Sequence, residues 1–106
     1  CELYKGCIAI SHTKSNYADI QGITAATADE LLGIEGVKAS FTMCSVNGIT
    51  YVSARSIGDM NVQLIMESIG GGGHMTVAGA TVMGIDVDEG VEKVRIAIKE
   101  HLSERN

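Results

Sequence analysis

Residues 37–56 read VKASFTMCSVNGITYVSARS, and this stretch decides the fold because two β-prone runs flank Asn47 and Gly48. Both central positions of a type I′ turn need positive φ, which Asn and Gly adopt most readily, so the stretch is predicted to be a β-hairpin. A two-residue loop also determines the strand register. The predicted cross-strand partners are Val46 with Ile49, Thr42 with Ser53, and Ser40 with Arg55.

Side chains of such a hairpin alternate between its two faces. One face is apolar and is predicted to pack on the core; it carries Phe41, Met43, Val52 and Ala54. The other face is polar and carries Ser40, Thr42, Ser53 and Arg55. The sequence therefore predicts a core side and a polar side, with the arginine of the hairpin on the polar side.

The flanking segments alternate between strand-like and helix-like patterns. The predicted elements around the hairpin are a strand at residues 5–11, a helix from Ser15 or Asn16 to about Gly33, a helix capped by Asp59 or Asn61 and ending at Gly70, a strand at residues 77–85, and a helix opened by Asp86 or Asp88. The order is roughly β-α-β-β-α-β-α. It predicts one small α/β (α+β) domain with a central mixed sheet and helices packed on it.

Two of these helices are predicted from apolar stripes at helical spacing. The first stripe is Val62, Ile65, Met66 and Ile69, and the second is Val91, Val94, Ile98 and Leu102. With 106 residues, of which 45% are hydrophobic, the chain can fill one modest core.

Composition excludes several classes of protein. The net charge of −5 argues against broad binding of duplex nucleic acid, which needs a basic surface. No apolar run approaches 18 residues, so no membrane span is predicted. The cysteines, Cys1, Cys7 and Cys44, form no CxxC pair and are expected to pack as small apolar groups in a reducing cytoplasm. Because the chain begins with Cys rather than Met, we expect it to be a piece of a longer protein.

Residues 70–74 read GGGGH and lie between a predicted helix and a predicted strand. Four consecutive glycines let successive backbone N–H groups converge on one point, as in an anion nest, and a phosphate is the obvious guest. A flexible connector explains the composition equally well. The position inside a compact domain and the histidine at the end favour a ligand site, because ordering the loop costs entropy.

Together with SARS at residues 53–56, Asn61 and AGA at residues 78–80, this loop resembles the DHH-associated domain of DHH phosphoesterases. Residues 28–41 and 52–80 look like the GdpP-type, cyclic-di-AMP phosphodiesterase branch of that family. The resemblance covers nearly the whole chain and is most specific over residues 52–80. Thr81 stands where relatives often carry Gln, which affects only details of base contact.

The resemblance implies a substrate-binding site, because in that family the glycine loop, its histidine, the arginine of the preceding strand and the asparagine of the next helix contact phosphate or base. The residues assigned to this site are Arg55, Ser56, Asn61, Gly71, Gly72, Gly73 and His74. Taken alone, these residues leave alternatives. Arg55 also suits a solvated strand position, Asn61 a plain helix cap, and Ser56 the support of a turn.

The resemblance also implies two metals, usually manganese, held by the aspartates and adjacent histidines of a preceding Asp-His-His domain. No two histidines are adjacent here, so we expect residues 1–106 to form the substrate-binding domain alone, with no catalytic residues and no bound metal. His12 and His101 lack metal-ligand spacing and are interpreted as surface residues. Asp86, Asp88 and Glu89 are interpreted as helix-capping groups rather than cation ligands.

Three functions remain open at this point. In the first, which we favour, the parent protein hydrolyses cyclic-di-AMP to linear pApA. In the second it is a RecJ-like exonuclease or nano-RNase, although the net charge disfavours long single strands. In the third the domain is a non-catalytic RNA-binding module. The expected partners are a cyclic dinucleotide or short oligonucleotide and the upstream Asp-His-His domain. The sequence leaves open whether the domain forms a homodimer and whether the parent protein has a membrane anchor. In either case we expect this domain to lie in the cytosol and not to contact the membrane.

Overall fold

The computed structural model describes residues 2–4, 8–14, 20–33, 36–46, 48–57 and 60–105. The elements within these ranges are β1 (Glu2–Tyr4), β2 (Ile8–Lys14), α1 (Ile20–Leu32), β3 (Ala39–Val46), β4 (Ile49–Ser56), α2 (Val62–Glu67), β5 (Gly72–Gly73), β6 (Val77–Met83) and α3 (Val87–Arg105).

In the part of the chain that the structure describes, the strands form one six-stranded mixed sheet in the order β1-β2-β3-β4-β6-β5. There β2 and β3 run parallel, and the other neighbouring pairs are antiparallel. Parallel neighbours cannot be joined by a tight turn, and α1 supplies the crossover between β2 and β3. The predicted α/β fold class and its central mixed sheet are confirmed.

The hairpin of β3 and β4 has the predicted register throughout, from Val46 opposite Ile49 to Ser40 opposite Arg55. At the turn, Gly48 has a φ of 78°, the left-handed conformation for which glycine is suited. Asn47 lies outside the described residues. The short-range turn chemistry was therefore enough to predict which side chains share a face.

The core lies between one face of the sheet and the helices α2 and α3. The apolar face of the hairpin contributes to it as predicted, with Phe41, Met43 and Ala54 at 0% exposure and Val52 at 4%. Both predicted helical stripes also enter it, through Val62, Ile65, Met66, Val91, Val94 and Ile98. The side chain of Leu102 lies outside the described residues.

The polar face of the hairpin is covered by α1. Ser40 and Thr42 are 0% and 2% exposed, and the Ser40 hydroxyl donates a 2.6 Å hydrogen bond to the carbonyl of Ala28 in α1. This bond satisfies the buried Ser40 hydroxyl, whereas the buried Thr42 Oγ1 has no hydrogen-bond partner among the described residues. The hairpin is thus sandwiched between α1 on its polar face and α2 and α3 on its apolar face.

Several predicted boundaries need correction. The strand predicted at residues 5–11 is β2, at Ile8–Lys14, because its parallel pairing with β3 extends from Ile8 to Lys14. Residues 5–7 lie outside the described residues. The predicted strand at residues 77–85 ends earlier, at Met83, because Gly84 turns the chain at a φ of 78°. Strands β1 and β5 were not predicted, since each has three residues or fewer.

The helix ends agree better with the sequence. Helix α1 ends at Leu32, one residue before the predicted stop at Gly33. Asn61 caps α2, and Asp86 caps α3 by accepting a 2.9 Å hydrogen bond from the N–H of Glu89. The helical hydrogen bonds of α2 stop at Glu67 rather than at Gly70, although a turn continues to Gly70. The alternative caps Ser15, Asn16 and Asp59 lie outside the described residues.

The histidine and cysteine predictions have mixed outcomes. Cys44 is 1% exposed and packs as a small buried group, as expected. His101 is half-buried, and its Nε2 is shielded from solvent with no hydrogen-bond partner among the described residues, so its interpretation as a surface residue is wrong. Cys1, Cys7 and the side chain of His12 lie outside the described residues.

Candidate functional site

Sheet register brings the predicted site residues to one end of the domain. Antiparallel pairing of β4 with β6 places Arg55 opposite Val77. Pairing of β5 with β6 places Gly72 opposite Gly79 and Gly73 opposite Ala78. His74 follows β5 directly, and its N–H bonds to the carbonyl of Val77 at 2.7 Å. The glycine loop and Arg55 thus lie on either side of the first residues of β6.

The backbone of residues 70–74 is more ordered than a flexible connector. The N–H groups of Gly70 and Gly71 bond to the carbonyls of Glu67 and Met66, at 3.1 and 2.8 Å. Gly70 turns the chain at a φ of 93°, and the next residues form the edge strand β5. The loop is therefore a turn followed by a short paired strand, with several of its donors already used.

Pairing alternates in an antiparallel ladder between hydrogen-bonded and non-bonded residue pairs. Because the N–H of His74 bonds to Val77, this alternation makes Gly72 and Gly79 a bonded pair, and Gly73 and Ala78 a non-bonded pair. On the outer strand of a sheet, the N–H of a non-bonded residue points away from its neighbour. Of the two glycines in β5, Gly73 therefore presents its N–H outward, while the N–H of Gly72 faces β6.

The glycines of the loop are required for different reasons. A Cβ on Gly71 would collide with the carbonyl oxygen of Gly79 and with Ala80, and a Cβ on Gly73 would lie 2.6 Å from the Cα of Ala78. Gly73 also has a φ of 143°, which L side chains rarely adopt. A Cβ on Gly72 would meet no atom within 4 Å. Close pairing with β6 thus explains Gly71 and Gly73 but leaves Gly72 unexplained.

Arg55 occupies a defined position rather than a solvated one. Its Nε donates to Oδ1 of Asp29 at 2.9 Å, and its Nη1 donates to the carbonyl of Ala54 at 2.9 Å. The Arg55 side chain is 13% exposed, against 65% for Asp29. The alternative that Arg55, taken alone, also suited, a solvated strand position, is therefore wrong. Sequence reasoning missed Asp29, because nothing in the spacing of these two residues signals the contact.

Asn61 and Ser56 have structural roles at the same end of the sheet. The side-chain oxygen of Asn61 accepts from the N–H of Leu64 at 3.3 Å, so it caps α2 and its amide nitrogen keeps two donors. The Ser56 hydroxyl is buried and donates to the carbonyl of Met60 at 2.7 Å. The backbone N–H of Ser56 bonds to the carbonyl of Thr76 at 3.0 Å. Ser56 thus ties β4 to the start of α2 and to the turn after the loop.

His74 differs from these residues because its side chain is exposed. Among the residues that the structure describes, no group of three His, Cys, Asp or Glu side chains could hold a metal ion. In the same described ranges, no helix is long and apolar enough to cross a membrane. The site thus combines the exposed imidazole of His74 and the outward N–H of Gly73 with the half-buried amide of Asn61 and the partly buried guanidinium of Arg55.

The fold and the grouped residues define a small α/β domain with an ordered glycine strand at the edge of a mixed sheet. The chain belongs to the DHHA1 domain family, whose model matches residues 10–103. Its predicted resemblance to the DHH-associated domain is confirmed. The domain is one that occurs in DHH phosphoesterases.

Curated relatives agree with this family. Two proteins called cyclic-di-AMP phosphodiesterase GdpP, from Geobacillus thermodenitrificans and Bacillus subtilis, are each 44% identical, over 89% and 93% of this chain. This chain spans only 14% and 16% of their lengths. The bifunctional oligoribonuclease and PAP phosphatase NrnA of Thermus thermophilus is 46% identical over 49% of this chain, which spans 16% of that protein.

A solved structure supports the fold. An exopolyphosphatase-related protein from Bacteroides fragilis matches 93% of this chain and 31% of its own, with a TM-score of 0.78 at 21% identity. Identity at that level is informative about the fold alone.

Proposed function

We propose that this chain is the substrate-binding domain of a DHH-type phosphodiesterase that hydrolyses cyclic-di-AMP to linear pApA. The relatives that match most of its length at 44% identity bear the name cyclic-di-AMP phosphodiesterase. In this proposal the domain holds the nucleotide phosphates, through the outward N–H of Gly73, the imidazole of His74 and the guanidinium of Arg55. The amide of Asn61 supplies a further donor beside them.

The observation that carries the proposal is that residues with donor groups lie on both sides of the first residue of β6. Arg55 and His74 are 19 positions apart in the chain, yet both flank Val77. Arg55 does so through strand pairing, and His74 through a backbone hydrogen bond. Guanidinium, imidazole and backbone N–H groups are all donors suited to phosphate oxygens. Gly72 is small where space alone does not require it, which fits a ligand that approaches the strand closely.

Ser56 and Gly71 have a supporting role in this proposal. The Ser56 hydroxyl is used by the carbonyl of Met60, and a side chain on Gly71 would collide with β6. They maintain the shape of the site, and the contacts to phosphate come from their neighbours.

Hydrolysis is proposed to require an Asp-His-His domain elsewhere in the parent protein. Manganese bound there would activate water and stabilise the leaving oxygen. The residues of the present chain bind and orient the nucleotide, with the parent located in the cytosol or anchored so that this domain faces it.

A second candidate is a domain of an enzyme that acts on short oligonucleotides. It is favoured by the match to an oligoribonuclease and PAP phosphatase, which is 46% identical but covers only half of this chain. The match to the phosphodiesterases covers 89% or more, so we favour the cyclic dinucleotide.

Calorimetric titration of the chain with cyclic-di-AMP, pApA and a short oligoribonucleotide tests the proposal. We expect cyclic-di-AMP to bind most tightly. Arg55→Ala should lower its affinity by about tenfold or more, because a charge-assisted hydrogen bond contributes about 1.5–3 kcal/mol. His74→Ala should lower it as well, without changing the thermal midpoint, since this side chain is exposed.

Arg95→Ala is the matched control. Arg95 is 38% exposed on α3, on the opposite side of the sheet, and pairs with Glu92. Its removal deletes the same charge away from the site and should leave affinity unchanged. Equal loss of affinity in Arg55→Ala and Arg95→Ala would mean that net charge alone drives binding, and tighter binding of the oligoribonucleotide would favour the second candidate.

A further inference from the structure

Two neighbouring residues of α1 contact two cross-strand partners of the hairpin. The carbonyl of Ala28 accepts from the Ser40 hydroxyl, and the carboxylate of Asp29 accepts from Arg55. Ser40 and Arg55 are directly opposite each other in the β3 and β4 ladder. One turn of α1 is thus attached to one rung of the hairpin by two adjacent hydrogen bonds.

The first of these bonds fixes where Asp29 lies. Ala28 and Ser40 are both 0% exposed, and their 2.6 Å hydrogen bond is buried. A buried hydroxyl with a single acceptor holds its geometry closely, because the alternative is an unsatisfied polar group. Asp29 follows directly in the helix, so its carboxylate is held above the hairpin beside Arg55.

The second bond orients the guanidinium and leaves part of it available. Arg55 contacts Asp29 through Nε and the carbonyl of Ala54 through Nη1. A guanidinium has five N–H donors in one plane, so fixing two of them determines the plane and leaves the remaining Nη donors for a second acceptor. The Asp29 carboxylate is 65% exposed, so solvent screens the negative charge of this carboxylate from an anion bound nearby.

We propose that Asp29 is a positioning residue for the phosphate site, in that it holds the Arg55 guanidinium with its free Nη edge toward the ligand. This inference rests on the proposed function, because it assigns Asp29 a role in the same site. Asp29 does not contact the phosphate. Its contribution comes from the acceptor oxygen that fixes Arg55, rather than from its negative charge.

The variants Asp29→Ala and Asp29→Asn separate these two contributions. Asp29→Ala removes the acceptor, and calorimetric titration of the 106-residue chain with cyclic-di-AMP should show affinity about fivefold lower, the scale of one partly exposed hydrogen-bonded pair. Asp29→Asn keeps an acceptor oxygen at the same place but carries no charge. Its affinity for cyclic-di-AMP should stay within about twofold of that of the unsubstituted chain. Glu30→Ala is the control, since it removes an exposed carboxylate one residue further along α1.

A double-substituted chain shows whether the effect passes through Arg55. If Asp29 acts only by orienting this side chain, adding Asp29→Ala to Arg55→Ala should cause no further loss of affinity. A merely structural role would lower the thermal midpoint and would reduce affinity whether or not Arg55 is present.

Three results would overturn this inference without contradicting the proposed function. Asp29→Ala could bind cyclic-di-AMP as tightly as Glu30→Ala does, or more tightly than the unsubstituted chain. The third result is a loss of affinity from Asp29→Ala that persists in full in the Arg55→Ala background. Tighter binding would show that Asp29 competes with the ligand for the guanidinium. If the unsubstituted 106-residue chain does not bind cyclic-di-AMP, that result would instead contradict the proposed function, and with it the role of Asp29.

Discussion

At the scale of single residues, the consecutive glycines of the loop are not equivalent. Gly73 combines a φ of 143° with a hypothetical Cβ that would lie 2.6 Å from the backbone of Ala78, whereas a Cβ on Gly72 would enter open space. The pairing of β5 with β6 is therefore sensitive to substitution at Gly73 and insensitive at Gly72. A substitution at Gly72 tests ligand approach separately from folding.

We expect Gly72→Ala to weaken cyclic-di-AMP binding while leaving the thermal midpoint nearly unchanged. Gly73→Ala should lower both, because positive φ costs an L residue about 1–2 kcal/mol and the added methyl group displaces β6. Thermal unfolding and calorimetric titration of the two variants check this. If Gly72→Ala binds cyclic-di-AMP as tightly as the unsubstituted chain, the ligand does not approach β5 at Gly72, and the loop is needed only for strand pairing.

At the scale of secondary-structure elements, the caps decide where helices begin. Asp86 accepts from the N–H of Glu89 and thereby satisfies one of the free donors at the start of α3. Asp88 lies in the first turn of the same helix and is exposed, where its charge interacts favourably with the helix dipole. The two carboxylates thus have the same charge and different structural roles. The same chemistry at Asn61 sets the start of α2 beside the site.

Asp86→Ala should reduce the free energy of unfolding by about 1 kcal/mol, the usual cost of losing an N-cap side chain. Asp88→Ala removes the same charge without a capping bond, and its cost should be a few tenths of a kcal/mol. Urea denaturation of both variants measures the difference. Equal losses would show that charge near the helix dipole, rather than the cap bond, stabilises α3.

At the scale of the whole molecule, the sheet is the device that assembles the site. Its order β1-β2-β3-β4-β6-β5 sets the glycine strand two positions from β4, and α1 closes over the polar face next to it. Arg55 belongs to the layer between α1 and the sheet, while His74 lies exposed at the sheet edge. A bound phosphate would therefore bridge a partly buried donor and a solvent-facing one.

We expect the chain by itself to bind cyclic-di-AMP and to release no pApA or AMP from it, even with added manganese. The proposed function assigns the metal ligands to a separate Asp-His-His domain. Chromatography of the nucleotide products after prolonged incubation measures this. Metal-dependent turnover that survives repurification and increases with the concentration of the chain would contradict the proposal that residues 1–106 bind the nucleotide without hydrolysing it.

The sequence by itself determined the elements whose signals are short-range. Asn47 and Gly48 specified a hairpin whose register is correct along β3 and β4, and helical spacing identified the inward faces of α2 and α3. Turn φ preference and side-chain alternation act within a few residues, so they can be read without the rest of the fold.

Only the tertiary structure decided which donors meet and how they are held. The pairing of β6 with β4 and the contact between Asp29 and Arg55 join residues far apart in the chain, and the second of these spans 26 positions. Such contacts form because burying the apolar face of the sheet beneath α2 and α3 and the polar face beneath α1 brings distant segments together. No local preference encodes that burial, and the geometry of the site follows from it.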